Sequence, residues 1–357
     1  MKSTIRVLAW PKDKNKLSNP YNFILYGAMS SNVIVDEFHH RSMRVSGQNI
    51  FHLHWPDLLL RDKRWWRAVY RFSRLLRAIK KFKQQGGKVV WTVHNLQPHS
   101  LRFPQLAEYF MEKFIKNVDG FLFLSQYSRD CFLEKYPQFE STPWAVTPHV
   151  HYQAYYGVAD LFDDSKKSMT SNDTSDENSK KYTKPTILMF GKIRDHKGLD
   201  ALVEAKSQLP EGSCQLSIVG DLGKYQLDQD ILKYIDRDAN ITTTFEYIHD
   251  RDIPKYFSKS SAVILPYTDI LNSGTAVLAL SFNVPIIAPK IGSLISLRDE
   301  FGDDWVYLYD QPLNAEKLAA SLEWLKQRRS GTINLASLKP AKIAEQTEDF
   351  YRILIDR

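Results

Sequence analysis

The sequence predicts an α/β protein of two halves, each a parallel sheet crossed by helices. Short runs rich in Val, Ile, Leu and Phe alternate with stretches of helical period, the pattern of strand–helix–strand crossovers. At 357 residues and 43% hydrophobic content, the chain is long enough for two domains and apolar enough for two cores. Between the halves, the stretch from Asp163-Asp164-Ser165-Lys166-Lys167 to Lys184 is built of Ser, Asp, Asn, Thr and Lys and cannot bury a core.

In the first half the runs predict strands near 4–9, 33–36, 50–54, 88–93 and 119–124, with helices over 61–84 and 104–117 between them. In the second half the clearest strands are Thr186-Ile187-Leu188-Met189-Phe190, Cys214 to Val219, Ala262-Val263-Ile264-Leu265 and Val284 to Ala288. Leu318, Leu322 and Leu325 mark a helix over about 314–328, and Ile343, Phe350, Ile353 and Leu354 mark a last one. The expected organisation is therefore a first domain over 1–150, a mobile connection over 151–184, a second domain over 185–335 and a closing helix over 336–357.

Only Cys131 and Cys214 are present, with no Cys or His at zinc spacing nearby, so a reducing cytoplasm is expected and neither a disulfide framework nor a structural metal. The basic start Met1-Lys2 leads into an apolar run that stops at Pro11, which reads as a strand and not as a signal peptide. No window approaches the roughly 18 apolar residues of a membrane span, so membrane contact is expected to be peripheral.

The net charge is +7, yet residues 61–83 hold ten Lys/Arg against Asp62 alone, so the remainder of the chain is slightly acidic. Trp65, Val69, Phe72, Leu76 and Ile79 follow helical spacing there, while Arg64, Arg67, Arg71, Arg74, Lys80 and Lys81 supply cations. An amphipathic cationic helix of this kind suits an anionic membrane surface, with the stripe turned inward on the sheet and the charges outward. No nucleic-acid module accompanies the patch, and no nucleic-acid partner is expected.

Two turns in the second half suit an anionic ligand. Phe190-Gly191-Lys192-Ile193-Arg194-Asp195-His196-Lys197-Gly198 leaves a strand at a glycine and enters a helix amid cations. Leu265 to Ala276 again places small polar residues, Asn272, Ser273, Gly274 and Thr275, between a strand and a helix. One such turn is an ordinary solvated feature, whereas two at the carboxyl edge of one sheet suggest a shared ligand such as a nucleotide diphosphate. Asp-x-Asp occurs at Asp228-Gln229-Asp230, Asp236-Arg237-Asp238 and Asp250-Arg251-Asp252, but three copies so close together read as polar helix and capping, with Asp250 capping a helix over 251–259.

Gly191-Lys192 with Lys197-Gly198, then Ile218-Val219-Gly220-Asp221, then Pro266 through Pro285, resemble in order the donor half of glycosyltransferase family 4. The resemblance implies the GT-B architecture, two Rossmann-like domains facing across a cleft with the last helix packing back toward the first. It implies a glycosyltransferase, with Lys192 and Lys197 on the donor diphosphate and Tyr247 and Ile248 lining the base pocket. Two glutamates that the family usually carries eight residues apart are replaced by Ile270 and Leu278, so its retaining stereochemistry does not carry over.

In the first half, Phe51-His52-Leu53-His54-Trp55-Pro56-Asp57 and Val90-Trp91-Thr92-Val93-His94-Asn95 each put histidine at a strand's carboxyl end. The second resembles the family's Thr-x-His, which makes His94 the catalytic candidate. The first resembles its His-x-His, which places His54 near the acceptor with Trp55, Asp57 and Asn95. His54, Asp57 and Asp13 stand as candidate general bases if the reaction inverts. The expected reaction moves a hexose from a nucleotide-sugar, GDP-mannose or a UDP-hexose, to a lipid-linked saccharide in surface-polysaccharide assembly, without cofactor or essential metal. It is expected on the cytoplasmic face of the membrane. The alternatives are a GT-B sugar-nucleotide epimerase and a non-catalytic nucleotide-sugar-binding protein.

Overall fold

The computed structural model describes residues 4–39, 47, 49–96, 103–158, 184–326 and 332–357. They form two compact units, one of Met1–Val150 with Ala336–Arg357 and one of His151–Leu335. The connection expected over 151–184 is thus shorter at its start: Tyr152 and Val158 are buried in the second unit, and 159–183 lie outside the described residues.

The first unit carries six parallel strands, β1 (Ile5–Trp10), β2 (Val33–Glu37), β3 (Ile50–Leu53), β4 (Lys88–Val93), β5 (Gly120–Phe123) and β6 (Trp144–Val146), in the order β2-β1-β3-β4-β5-β6. Chain direction across the sheet switches between β1 and β3, where Val7 pairs with Ile50 and Trp10 with Leu53. The central strands are continuous apolar runs because both sheet faces are covered. On one face lie α2 (Trp65–Gln84), α3 (Pro104–Ile115) and α4 (Gln126–Lys135), whose Phe72, Phe82, Phe114 and Phe132 pack on Trp91 and Phe121. The other face is covered by the closing helix α11 (Pro340–Ile355), through Phe350, Tyr351 and Leu354 against Val7, Val90 and Leu122. α11 is also pinned by Glu348, which accepts from the Ser30 amide at 2.6 Å and hydroxyl at 2.7 Å. Ile353, expected on its inner face, is exposed, and Tyr351 is buried instead. A short helix α1 (Tyr21–Gly27) follows the first strand.

The second unit repeats the plan with β7 (Thr186–Phe190), β8 (Gln215–Val219), β9 (Ile241–Thr244), β10 (Ala262–Ile264), β11 (Ile286–Pro289) and β12 (Val306–Tyr309), all parallel in the order β12-β11-β10-β7-β8-β9. Its helices are α5 (Leu199–Ser207), α6 (Gln229–Arg237), α7 (Ile253–Phe257), α8 (Gly274–Ser281), α9 (Ser293–Phe301) and α10 (Ala315–Leu325). Here the switch falls between β7 and β10, the position at which such sheets bind ligands beyond their carboxyl ends.

The basic helix turns its expected stripe inward at Phe72 and Ile79, with Val69 and Leu76 packed on the core, but not at Trp65. Its buried residues are Ala68, Phe72, Leu75, Ala78, Ile79 and Phe82, so Trp65 lies off the stripe. Trp65, Trp66 and Tyr70 are instead more than half exposed. Arg64 and Arg67 lie 5.9 and 5.2 Å from the Trp66 ring, and Arg74 lies 5.6 Å from that of Tyr70.

Candidate functional site

In the first unit the carboxyl edge at the switch is built of histidine. Side chains two apart on a strand share a face, so His52 of β3 and His54 just beyond it stand together, with ring centroids 4.3 Å apart. β4 delivers Thr92 and His94 beside them. His52 Nε2 is 2.7 Å from Thr92 Oγ1, and His52 Nδ1 is 3.0 Å from the Tyr26 hydroxyl of α1 and 2.6 Å from the Tyr351 hydroxyl of α11. The Tyr26 hydroxyl is also 2.7 Å from His54 Nε2, and His54 Nδ1 is 3.0 Å from His94 Nε2. Among the described residues nothing bonds His94 Nδ1. The His94 ring is held by Trp55, stacked at 4.1 Å, and by Tyr21, edge-on at 5.3 Å.

Burial lowers the pKa of His52 to about 3, because an imidazolium in this apolar enclosure loses its hydration. His54 and His94 are pushed well below the ordinary value first by burial, then by the charge a neighbouring ring would carry. At neutral pH all three rings are therefore neutral, each with one N–H and one lone pair.

Both nitrogens of His54 are engaged and the residue is 1% exposed, so it faces its neighbours rather than a bound acceptor. Trp55 and Asn95 are half-buried and Asp57 is buried in the 3-10 turn Pro56–Arg61. Asp13 is half-exposed and pairs with Lys12 at 3.6 Å; its turn is held by Glu37, whose Oε2 accepts from the amides of Lys12, Asp13 and Lys14.

In the second unit the two glycine turns meet. A Cβ on Gly220 would collide with the Gly191 carbonyl, and one on Gly191 would rest 3.7 Å from Thr275 Oγ1, so the turns after β7 and β8 and the start of α8 converge. Ser273 caps α8, accepting from the Ala276 amide at 3.1 Å, and the first amides of that helix lack intrahelical partners. Lys192 is exposed, 3.8 Å from Asp221. Lys197 ends the 3-10 turn Asp195–Lys197 with its ammonium 3.7 Å above the ring of Tyr267. Gly198 follows with φ 67°, and any side chain there would strike the Pro266 carbonyl.

This junction joins an exposed lysine, a lysine over an aromatic face and a helix N-terminus, an arrangement that neutralises a polyphosphate. The hydroxyl of Tyr267, beneath Lys197, is buried without a hydrogen-bond partner among the described residues, as is that of Ser293 at the start of α9. Tyr247 and Ile248 lie beyond β9 at the sheet's edge, with the Tyr247 ring more than half exposed and edge-on to His249. Ile270 and Leu278, in place of the two glutamates, bring no charge; Leu278 is buried in α8.

Asp250 does not cap a helix. Its carboxylate accepts from the Tyr155 hydroxyl at 2.5 Å and the Tyr156 hydroxyl at 2.6 Å, and the residue opens the 3-10 turn Asp250–Asp252, which runs into α7. Asp228 caps α6 by accepting from the Asp230 amide, and Asp238 pairs with buried Lys206 at 3.0 Å. The three Asp-x-Asp copies thus have structural partners, and among the described residues no cluster of three His, Cys, Asp or Glu is arranged to hold a metal.

Sequence reasoning missed Tyr26, Tyr351 and Tyr267, which reach the two edges from helices or loops. Tyr351 alone carried a signal, being three and four residues from Leu354 and Thr347 on the inner face of α11.

Residues 171–343 match the family described as Glycosyl transferases group 1. A GDP-mannose:glycolipid 4-beta-D-mannosyltransferase of Xanthomonas campestris pv. campestris is 27% identical over 327 residues, covering 92% of this chain and 86% of its own. Among solved structures, a glycosyltransferase from Rickettsia africae ESF-5 aligns over all of both chains at TM-score 0.65 and 15% identity. Anabaena HepE, solved with UDP and glucose, aligns over 99% of this chain and 98% of its own at TM-score 0.61 and 12% identity. The expected kinship is thus met from both directions, by a family match that spans the donor-half motifs and by likeness of fold over the whole length of solved glycosyltransferases: the chain is a glycosyltransferase of the GT-B type.

Proposed function

We propose that the chain transfers a mannosyl group from GDP-mannose to a lipid-linked saccharide at a membrane surface, in the assembly of a surface polysaccharide. The observation that carries the nucleotide-sugar donor is the junction of the Gly191 turn, Lys197 and the start of α8, which offers cationic and amide donors to a diphosphate. Lys192 and Lys197 receive the charge of the departing diphosphate, and on this reading no metal is required for that step. The choice of mannose and of a glycolipid acceptor follows the name of the Xanthomonas relative.

That name also bears on stereochemistry. GDP-mannose holds its sugar in the α configuration, so a β-linked product means inversion at the anomeric carbon. A single displacement needs a base for the acceptor hydroxyl, and His94 is the assigned group: neutral, held by Trp55, and with Nδ1 unbonded. The replacement of the two glutamates by Ile270 and Leu278 accords with a mechanism unlike the retaining one.

The outer face of α2 supports the membrane. Aromatic rings at Trp65, Trp66 and Tyr70, interleaved with Arg64, Arg67, Arg71 and Arg74, suit the headgroup layer of an anionic leaflet, with Lys80 and Lys81 adding charge farther along. On this reading the protein works peripherally on the cytoplasmic face. No described helix is long and apolar enough to cross a membrane.

The deciding experiment measures nucleoside diphosphate release from GDP-, UDP- and ADP-sugars with and without bacterial lipid extract, in wild type, Lys197→Ala and His94→Ala. Extract-dependent release from GDP-mannose alone, lost in both variants and yielding a β-linked lipid product by NMR coupling constant, supports the reading. Conversion of donor without any acceptor turns the assignment to an epimerase; binding without release turns it to a non-catalytic protein.

A further inference from the structure

The hydrogen-bonded series His94, His54, Tyr26 and His52 extends inward from the residue assigned as base, and nothing in the donor chemistry requires it. We propose that it is a proton relay: His94 Nδ1 takes the acceptor's hydroxyl proton while the proton on His94 Nε2 shifts toward His54 Nδ1, and Tyr26 and His52 hold the direction of the series. This rests on the inverting reading above and adds His54 and Tyr26 as positioning residues that never touch substrate.

The directional argument is one of bookkeeping for protons. Each neutral ring donates once and accepts once, so fixing one bond fixes the rest. For Nδ1 of His94 to be bare, Nε2–H must donate to His54 Nδ1 at 3.0 Å. His54 Nε2–H then donates to the Tyr26 oxygen at 2.7 Å, the Tyr26 hydroxyl donates to His52 Nδ1 at 3.0 Å, and His52 Nε2–H donates to Thr92 Oγ1 at 2.7 Å. Each of these four donors then has an acceptor. The opposite sense is also closed but places a proton on His94 Nδ1, where it abolishes the base. Tyr351, 2.6 Å from His52 Nδ1, competes with Tyr26 for that lone pair and so links the direction of the series to α11.

In the transfer step, the acceptor oxygen bonds to the anomeric carbon as the bond from that carbon to the diphosphate oxygen breaks, the electron pair leaving with the diphosphate. The hydroxyl proton goes to His94 Nδ1. The positive charge so created is spread over two imidazoles by the shift along the 3.0 Å bond, which lessens the penalty of charging one buried ring. After product leaves, the proton returns to solvent through Nδ1. The titratable groups facing the series are Tyr21 and Tyr26 from α1, Glu37 at the end of β2, His149 beyond β6, and Tyr351 and Glu348 from α11. The two carboxylates act at the Tyr26 and Tyr351 end, where they favour positive charge drawn inward.

The test uses the full-length chain with two readouts. Histidine-selective ¹⁵N NMR on the free protein should show His94 with Nε2 protonated and Nδ1 bare at pH 7.5, and Tyr26→Phe should mix its tautomers. With GDP-mannose and lipid acceptor, Tyr26→Phe and His54→Gln should lower kcat about ten- to a hundred-fold, less than the roughly hundred- to ten-thousand-fold of base catalysis as a whole because His94 itself remains, with KM for donor unchanged. The acid limb of the pH–rate profile should move in both variants. A His94 protonated at Nδ1 in wild type, or a Tyr26→Phe enzyme whose tautomers, kcat and pH profile match wild type, overturns the relay. If wild type transfers nothing, the mannosyl reading fails, and the tautomer response to Tyr26→Phe still decides the series, its presence supporting the relay and its absence overturning it.

Discussion

Lowering the pH should unfold the first unit well before its carboxylates titrate. His52, His54 and His94 are buried and neutral, with pKa values held below the ordinary 6.5, near 3 for His52 and well below 6.5 for the others. Between those values and 6.5 the unfolded chain binds more protons than the folded one, so stability rises with pH there. The contribution is complete above 6.5 and is lost as pH falls toward the folded values. At pH 5.5, one unit below the unfolded pKa, each such ring forfeits about 1–2 kcal/mol, and the four of this unit, counting His149 with its pKa lowered by burial to about 4, forfeit about 4–8 kcal/mol, a large part of the 5–15 kcal/mol typical of a domain. Asp and Glu remain ionised at that pH, which isolates the histidines. The measurement is urea unfolding at pH 7.5 and 5.5 by tryptophan emission, with hydrogen exchange of β3 and β4 amides assigning the transition to this unit. His52→Gln should remove about a quarter of the difference. A difference under about 1 kcal/mol, or one of opposite sign, refutes the neutral buried rings.

Three further outcomes are expected. Gly198→Ala forces a side chain into the left-handed region and against the Pro266 carbonyl, which should cost about 2 kcal/mol or more, lower the melting temperature of the second unit by about 4–8 °C and weaken GDP binding by titration calorimetry. Replacing Arg67 and Arg71 with Ser should weaken binding to vesicles containing phosphatidylglycerol by about five-fold per charge, from about 1 kcal/mol per cation, with little effect on neutral vesicles in co-sedimentation. Chelation with EDTA should leave GDP release from GDP-mannose unchanged, whereas Lys197→Ala should depress it at least ten-fold in the same assay.

Much of the architecture was legible because central parallel strands are continuous apolar runs: β1, β3, β4, β7, β8 and β11 all stand out. The edge strands β6, β9 and β12 were not, since one side of an edge strand is solvated and Ile241-Thr242-Thr243-Thr244 buries a single apolar residue. α4 escaped because Gln126-Tyr127-Ser128-Arg129-Asp130 shows little apolar period; it is nucleated by reciprocal hydrogen bonds between Ser125 and Ser128. His54 and His94 were visible as strand-terminal histidines, but their hydrogen bond spans 40 residues of sequence and their link to α1 passes through a tyrosine no motif marks. Asp250 was misread for a related reason, since its partners Tyr155 and Tyr156 lie far upstream. Trp65 was misplaced by counting it in the apolar stripe of α2, when bulky aromatics next to arginine also populate exposed faces.

The return of α11 has a consequence for synthesis of the protein. The first unit is discontinuous, with the whole of His151–Leu335 intervening before its closing helix is made. A nascent chain that has emerged only through Leu335 lacks Tyr351 beside His52 and lacks Glu348 on Ser30, so its sheet has one bare apolar face. The second unit can mature on the ribosome while the first waits for α11 to emerge. Completion of the histidine array is therefore deferred until α11 has emerged, and a truncation that removes α11 should yield a protein that retains the second unit's fold but lacks the completed array.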